Sequence, residues 1–230
     1  MILASHQPDF LPYMGYFYKM AMCDTFVFSD DVLYSKKGMH NWNTIKTPGG
    51  PQKLTIPVHA HHDLNLCEIT VSDIRRSLTG AAKTIEQNYR RAPHYDEGLC
   101  IIEAMSRYAE KDRLLMRDFN IALTVSIMEG FGIHPRILVA SAGLHLGGQK
   151  DKRILRMCDE TGADVYLSGR GAADYHRPHE FELHGVELRY TDYQPVEYPQ
   201  LYGPFVKNLS VIDYVFNCGF TLPDWRRENG

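Results

Sequence analysis

The chain has 230 residues, of which 44% are hydrophobic and 23% are charged, and its formal net charge at pH 7 is -3. This composition is typical of a folded globular protein and excludes a disordered or fibrous chain. The small negative charge gives no overall field that would attract nucleic acid or an anionic membrane. No run of about 18 apolar residues occurs, so we expect neither a nucleic-acid partner nor a membrane span.

The five cysteines are an odd number, lie far apart and form no C-x-x-C pair. This pattern argues against a disulfide framework and against a structural zinc site. The first residues carry no basic region and no long apolar core, so no secretory signal is predicted. Together these features predict a cytoplasmic protein with free thiols.

Short apolar runs mark the first strands. A buried strand is predicted from Ile2 to Ala4, ending at His6, and a second over 25–29 (TFVFS), ending at Asp30. The segment between them, 13–22, has the pattern of a short amphipathic helix. The chain therefore begins with a strand, a turn, a helix and a second strand.

The second half repeats this alternation. Strands are predicted at 137–141 (ILVAS), 165–169 (VYLSG) and 187–193 (ELRYTDY), with a helix between the first two that ends at Gly162. Alternation of this kind predicts a parallel sheet with right-handed crossovers. The expected fold class is α/β, with a Rossmann-like (nucleotidyltransferase-like), mostly parallel sheet.

The middle of the chain has a different pattern. The segments KLTIPV and CEITVS alternate like edge strands, and a helical region follows from about 72 to 132. Its last helix is predicted to start at Asp112 as N-cap and to end near Gly130. We interpret this region as a helical insertion or lobe of a single α/β domain over 1–230, with two smaller domains as the alternative.

Polar residues follow the predicted strands at their carboxyl ends. Ligands of open parallel sheets bind at that edge, so we expect a site there. The alternative is that each residue only caps a strand or a helix. The residues concerned are His6, Gln7, Asp30, Asp31, Ser141, Ser168, Gly169 and Asp192.

Asp30 and Asp31 are the most specific feature of this edge. Adjacent carboxylates can hold a divalent cation such as Mg²⁺, or one of them can act as a general base. Their mutual repulsion requires a compensating charge, and Lys36, Lys37 and Lys46 follow closely. The alternative is a solvated acidic loop, so Mg²⁺ is considered but no metal site or cofactor is firmly predicted.

Other motifs are weaker. PYMGY resembles the HxGH signature of nucleotidyltransferases, but Tyr13 and Tyr16 stand in both histidine positions and carry no positive charge for a phosphate. HAHHD, over 59–63, is interpreted as a polar surface loop rather than a zinc site. VYLSG does not match the G-x-S-x-G nucleophile pattern, and Cys158 and Cys218 are interpreted as structural.

Five longer motifs cover nearly the whole chain in order. They are H-Q-P-x-[YF]-L-P-W-x-G-[YF]-[FH]-x-K at 6–19, with Tyr13 in the tryptophan place; D-x-F-V-x-x-D-D-V-x-Y-x-K at 24–36; N-x-N-x-I-K at 41–46; G-A-D-x-Y-L-S-G-x-x-A-x-D-Y at 162–175; and Y-P-Q-x-x-x-x-F-x-x-x-x-S-x-x-D-x-x-F-N at 198–217. Through these motifs the chain resembles the WbqC-like protein family. It departs from the family at Trp42, where an arginine is common, and at Ala142-Gly143, where an acidic residue is usual.

The resemblance implies a function. Members of the family are encoded among genes for O-antigen, capsule and other sugar-containing products, and the family is associated with attaching a glycyl or similar group to an amino sugar. The implied activity is a transferase that makes an amide on a nucleotide-linked amino sugar, with an acyl or amino-acyl carrier protein as a further partner. Two alternatives stay open: nucleotidyl transfer or adenylation with ATP and Mg²⁺, and non-catalytic binding of a sugar nucleotide.

Roles follow from that implied reaction. Amide formation needs a base, for which His6 or Asp31 is the candidate, and polar donors for the developing oxyanion. The candidate catalytic residues are His6, Asp30 and Asp31. The candidate substrate-binding residues are Gln7, Tyr13, Tyr34, Lys36, Asn41, Asn43, Lys46, Ser168, Gly169, Tyr175 and Gln200. Among these, Lys36 and Lys46 are expected to meet the diphosphate, and Ser168 and Gly169 to offer backbone N–H groups at a helix start.

Overall fold

A computed structural model describes residues 1–148, 150–223 and 225 of the chain. In chain order its elements are β1 (Ile2–His6), α1 (Met14–Ala21), β2 (Thr25–Phe28), β3 (Trp42–Thr47), β4 (Gly50–Thr55), β5 (Val58–His59), a 3-10 helix (Leu66–Glu68), β6 (Thr70–Val71), α2 (Ile74–Tyr89), α3 (Tyr95–Tyr108), α4 (Met116–Gly130), β7 (Arg136–Val139), α5 (Ala140–Gly143), α6 (Asp151–Thr161), β8 (Val165–Ser168), a second 3-10 helix (Arg170–Tyr175), α7 (Pro178–Leu183), β9 (Glu187–Tyr190) and α8 (Val211–Cys218). None of the helices within these described residues is long and apolar enough to cross a membrane.

The central sheet has five strands in the order β7-β2-β1-β8-β9, and every pair is parallel. The predicted α/β class and the mostly parallel sheet are therefore confirmed. From β1 the chain builds outward through β2 to β7, and then returns past β1 to build β8 and β9 on the other side. The strand order reverses between β1 and β8, and this is the position where a crevice for a ligand forms in such sheets.

Both faces of the sheet are covered. Successive residues of a strand point to opposite faces, and accordingly Ala4 packs in one apolar cluster while Leu3 packs in another. The first cluster contains side chains of α1, α2, α3, α4 and α8, and the second contains side chains of α6 and α7. Two buried faces explain why the inner strands β2 and β8 are continuous apolar runs, whereas the edge strand β9 alternates.

The predicted strands of the sheet are correct to within one to three residues, and Gly162 ends α6 in the left-handed conformation as predicted. The predicted start of the last insertion helix at Asp112 is wrong. Leu114 and Leu115 instead bond to β6 as extended chain, so α4 begins at Met116. The hairpin of β3 and β4 was not predicted, because β3 carries mixed polar and apolar residues without a clear period.

Three helices, α2, α3 and α4, occupy the region from 72 to 132 that was interpreted as an insertion. Their buried side chains, among them Leu78, Ile101 and Phe119, belong to the same apolar cluster as α1 and the sheet. This shared core supports a single domain, although the domain count itself stays a prediction.

A buried carboxylate ties the C-terminal helix to this core. Asp213 of α8 accepts hydrogen bonds from the hydroxyls of Tyr89 and Tyr198, both at 2.8 Å. The Tyr89 hydroxyl also accepts the backbone N–H of Lys46 at 3.0 Å. The network therefore joins α2, β3, α8 and the loop before α8.

We expect Asp213→Asn to lower the free energy of unfolding by about 1–3 kcal/mol, because one tyrosine hydroxyl loses its acceptor in a buried position. Urea denaturation followed by circular dichroism measures this loss. Asp159→Asn, on the exposed side of α6, is the matched control, and its effect is expected to stay within about 0.5 kcal/mol. Equal losses in the two variants would contradict the role of the network.

Candidate functional site

The carboxyl ends of β2, β1 and β8 lie side by side and gather six of the predicted site residues. The register pairs His6 with Phe28 and Ala4 with Leu167, so the residues that follow each strand are neighbours across the sheet. Adjacent strands are about 4.8 Å apart. The predicted residues at this edge are His6, Gln7, Asp30, Asp31, Ser168 and Gly169.

His6 lies at the end of β1 with 36% of its side chain exposed. Its Nδ1 is 3.2 Å from the carbonyl oxygen of Gln7 and 3.6 Å from a carboxylate oxygen of Asp9. The other oxygen of Asp9 is 3.0 Å from Nδ1 of His40, which is buried. Asp9 therefore connects the exposed imidazole to a buried one.

Burial and the neighbouring Lys19 of α1 together keep His6 neutral. The Nζ of Lys19 donates to the carbonyl of Ser5 at 2.9 Å. Burial, followed by repulsion from the Lys19 ammonium, lowers the pKa of His6 from 6.5 to about 4. Burial also lowers the pKa of Lys19 to about 8. His6 is therefore a neutral imidazole near pH 7, able to accept a proton.

We expect Lys19→Met to raise the pKa of His6 above about 4 but to leave it below 6.5, because the variant removes the repelling charge while the larger effect of burial remains. In the wild-type protein, stability should fall as pH drops from about 6.5 to about 4, since the unfolded histidine takes up a proton that the folded one does not. The His6 Cε1–H resonance, followed through a pH titration by NMR, measures the shift. Lys53→Met, in β4, is the control, and an unchanged titration in Lys19→Met would contradict the coupling.

Asp30 follows β2 and is fully buried. One carboxylate oxygen accepts the backbone N–H of Ser141 at 2.9 Å, and the other accepts the Ser141 hydroxyl at 2.6 Å. Arg117 of α4 forms an ion pair with the same carboxylate. Asp30 thus joins the ends of β2 and β7 to the helical region.

Asp31 is paired in the same way with Arg153 of α6. The compensating charges for the two aspartates are therefore arginines from distant parts of the chain, and not the nearby lysines. A divalent cation would have to displace both guanidinium groups, so the donor set at Asp30 and Asp31 does not fit a preformed Mg²⁺ site.

Ser168, at the end of β8, begins a chain of hydrogen bonds that the sequence did not suggest. Its Oγ is 2.8 Å from Nε2 of His176, and Nδ1 of that imidazole is 2.6 Å from a carboxylate oxygen of Asp151. The second oxygen of Asp151 accepts the backbone N–H of Arg177 at 2.9 Å. A serine, an imidazole and a buried carboxylate are thus connected in that order.

A cleft of about 400 Å³ borders this chain. His176 and Asp151 line it together with Lys150, Lys152 and Tyr175. The expected helix start after Ser168 and Gly169 is the second 3-10 helix, none of whose side chains is buried. Gly169 immediately precedes that helix.

Asn41 and Asn43 lie behind the edge and hold the backbone around it. The Asn43 side-chain amide donates to the carbonyls of Phe10 and Leu11 at 3.0 and 2.8 Å. That of Asn41 donates to the carbonyl of Ile56 at 2.8 Å, and its oxygen accepts the Tyr34 hydroxyl at 3.3 Å. Both amide hydrogens of Asn43 and one of Asn41 are thus committed to the fold, and the structure brings Tyr34 to Asn41.

Lys46 and Gln200 form a separate group. The buried Nζ of Lys46 donates to the Gln200 side chain at 3.0 Å and to the carbonyls of Gly203 and Pro204 at 3.1 and 2.6 Å. This arrangement fastens the loop before α8 to β3. All three ammonium hydrogens of Lys46 are therefore donated to the loop, and none remains for a diphosphate.

The remaining predicted residues are not gathered with the edge residues. Lys36 is exposed, and Tyr175 is 75% exposed. Tyr13 is half-buried and contacts Tyr193 edge to face, with 5.9 Å between ring centroids. Roles for these residues, like those of the edge residues, stay predictions.

The HAHHD segment is exposed, as predicted. His61, His62 and Asp63 have ligand atoms within 4.8 Å of one another, and His61 is hydrogen-bonded to Asp63. All three side chains are exposed on the loop after β5. The segment adds nothing to the edge site.

Several residues of this edge were missed by the sequence reasoning. They are Asp9, Lys19, His40, Arg117, Arg153, Asp151 and His176. Asp9 and Lys19 fall inside the first motif, where their proximity to His6 could have signalled a role. The others reach the edge through contacts between distant segments, which no local pattern reveals.

The sequence pattern of the WbqC-like protein family matches residues 7–223, so the chain belongs to this family. It is also similar to the uncharacterized protein Rv1507c of Mycobacterium tuberculosis, with 30% identity over 226 residues, which are 96% of this chain and 95% of the relative. No solved structure matches the chain.

Proposed function

We propose that this protein is an acyltransferase that forms an amide on an amino sugar carried by a nucleotide, with an activated amino-acyl or acyl group as donor. The observation that carries the proposal is the neutral, partly exposed imidazole of His6 at the point where the strand order reverses. The family resemblance supports the class of acceptor. The reaction belongs to the biosynthesis of a polysaccharide, an O-antigen or a related sugar-containing product.

The chemistry of amide formation suits this site. An amino sugar arrives largely as its ammonium form, and a base must take one proton before the nitrogen lone pair attacks a carbonyl carbon. His6 is unprotonated near pH 7, so its lone pair is available to accept that proton. In the described part of the chain the Gln7 side-chain amide has no protein partner, which leaves it free to donate to the substrate.

The ion pairs around the strand ends determine which residues remain to bind the sugar nucleotide. The pairs Asp30–Arg117 and Asp31–Arg153 are each neutral overall, so the edge presents paired charges rather than a strong field. Gln7, Lys36 and the Gly169 backbone are the proposed contacts for the sugar and its diphosphate. Asn41, Asn43, Lys46 and Gln200 are assigned to holding the loops in place.

The test is a coupling assay on the full chain. Nucleotide-linked amino sugars are incubated with glycyl and acyl thioesters, free and on a carrier protein, and products are read by mass spectrometry. The expected product is heavier than the acceptor by the acyl group minus one hydrogen. Tight binding of the acceptor, seen as a rise in melting temperature, with no product from any donor would instead indicate a non-catalytic sugar-nucleotide-binding protein.

A second candidate is nucleotidyl transfer or adenylation, and the strand order favours it. We propose that the sheet is Rossmann-like, since β7-β2-β1-β8-β9 corresponds to the order 3-2-1-4-5 of doubly wound nucleotide-binding sheets. This reaction predicts ATP-dependent pyrophosphate exchange that requires Mg²⁺. Amide formation from a thioester in the presence of a chelator would exclude it as the main activity.

A further inference from the structure

We infer that Ser168, His176 and Asp151 form an activated nucleophile that takes up the acyl group as a covalent ester on Ser168. The inference rests on the proposed function for the identity of the final acceptor, but not for the nucleophile itself. The donor class is a thioester or another activated ester. We call these three hydrogen-bonded residues the serine relay.

The order of atoms in the serine relay is that of a general base held by a carboxylate. The Ser168 Oγ meets Nε2 at 2.8 Å, and Nδ1 meets Asp151 at 2.6 Å. With Nδ1 carrying the proton, Nε2 has a free lone pair for the serine proton. In the described residues the other oxygen within reach of Oγ is the Gly169 carbonyl, at 3.5 Å, so the imidazole is its main partner.

Asp151 and His176 are each held in place by further contacts outside the serine relay. Both Asp151 oxygens are engaged, one with His176 and one with the Arg177 backbone, and Asp151 is the first residue of α6. The favourable end of a helix dipole stabilises its negative charge. The imidazole lies among aromatic rings, edge to face with Phe181 at 5.7 Å between centroids. The imidazole is thus held in one orientation without losing access to Oγ.

The serine relay lies at the carboxyl end of β8 and beside a cleft. Ser168 ends the strand that neighbours β1. Its side chain lies on the sheet face of Tyr166 and α6, whereas that of His6 lies on the opposite face, with Ala4 and Tyr16. His176 and Asp151 border the cleft of about 400 Å³, whose charged lining is mixed. Lys150, Lys152 and Arg177 are balanced there by Asp151, Asp174 and Glu180, and Arg177 is paired with Glu180. Ser168 itself is buried, so a donor would reach its Oγ from this cleft past the His176 imidazole.

The covalent step balances as two displacements. In the first, Oγ attacks the donor carbonyl carbon, its proton passes to Nε2 of His176, the C–S bond breaks and the thiolate leaves with that proton as a thiol. In the second, the amine nitrogen attacks the ester carbon, the C–O bond to Ser168 breaks, and a nitrogen proton returns through His176 to Oγ. Asp151 stabilises the imidazolium in both steps without itself taking the proton.

A fluorophosphonate probe tests the serine relay directly. The probe forms an Oγ–P bond and releases fluoride together with the serine proton, and it requires an activated hydroxyl. We expect stoichiometric labelling of the folded full-length protein, located to Ser168 by peptide mass spectrometry. Labelling is expected to vanish in Ser168→Ala, and to slow about 10³–10⁴-fold in His176→Ala and in Asp151→Asn.

A control variant and an NMR readout distinguish a reactive serine from one that only stabilises the fold. Ser106→Ala removes a hydroxyl on α3 that donates to the Ile102 carbonyl, and it should label like the wild type. For Asp151, a positioning residue, the far-downfield Nδ1 proton of His176 in the NMR spectrum should be lost in Asp151→Asn. A folded wild-type protein that is labelled neither by the probe nor by p-nitrophenyl acetate would overturn the inference, as would equal labelling in His176→Ala.

The outcome is independent of the amide product. Labelling at Ser168 without any amide product from the coupling assay would reject the proposed acceptor and leave the nucleophile in place. An amide product with no acyl-enzyme adduct, and unchanged turnover in Ser168→Ala, would reject the serine relay and leave the proposed function in place.

Discussion

His6→Gln is expected to lower kcat for amide formation by about 10²–10⁴-fold, because general acid–base groups contribute effects of this size. The imidazole accepts the proton that the acceptor nitrogen loses, and a glutamine amide cannot take it up. The change in KM should be small, since glutamine keeps the volume and one hydrogen-bonding group. Steady-state rates with a saturating donor measure the effect.

The pH profile sharpens this expectation. Since the pKa of His6 is lowered to about 4, its contribution to activity should persist far below pH 6.5 and decline only near pH 4. The matched control is His62→Gln, an exposed histidine on the HAHHD loop, which should leave kcat unchanged. A His6→Gln variant with wild-type kcat would show that the base lies elsewhere.

Asp30→Ala is expected to cost about 3 kcal/mol of stability. The variant leaves the Arg117 guanidinium and the Ser141 backbone N–H without their buried acceptor. Removing one partner of a buried ion pair costs about 3–5 kcal/mol, and the lower end applies here because the Arg117 side chain is 21% exposed. Chemical denaturation of the two proteins under identical conditions measures the difference.

The control for Asp30 uses the same arginine. Asp118 also accepts from Arg117, at 3.1 Å, but its side chain is 55% exposed. Asp118→Ala should therefore cost about 0–1 kcal/mol, as exposed pairs do. A similar loss of stability in both variants would mean that Asp30 does not stabilise the fold through its buried contacts. Asp30 would then again be a candidate ligand for a divalent cation.

The inner strands of the sheet were predictable from sequence because they are buried on both faces. TFVF and VYLS are short, apolar and bounded by polar residues, which is the pattern that a buried parallel strand requires. The hairpin of β3 and β4 was not predictable in the same way, because Asn43 and Lys46 occupy it for their long-range bonds rather than for strand propensity. Tertiary contacts also override the local pattern at Leu114 and Leu115.

Only those site residues that directly follow a predicted strand could be predicted from the sequence. The strand ends pointed to His6, Asp30, Asp31 and Ser168 because parallel strands share one edge. The partners of these residues come from afar: Arg117 lies 87 positions beyond Asp30, and Arg153 lies 122 beyond Asp31. The serine relay has the chain order aspartate, serine, histidine, and no spacing rule links Asp151 to Ser168 before the fold is known.

The central claim is that the reversal point between β1 and β8 binds the nucleotide-linked amino sugar and carries out the transfer. The most direct measurement is a titration of that ligand into ¹⁵N-labelled protein, followed by amide chemical shifts. We expect the shifts to concentrate at residues 6–9, 30–31 and 168–176. Shifts confined to other surfaces, such as the groove lined by β4 and α2, would contradict it.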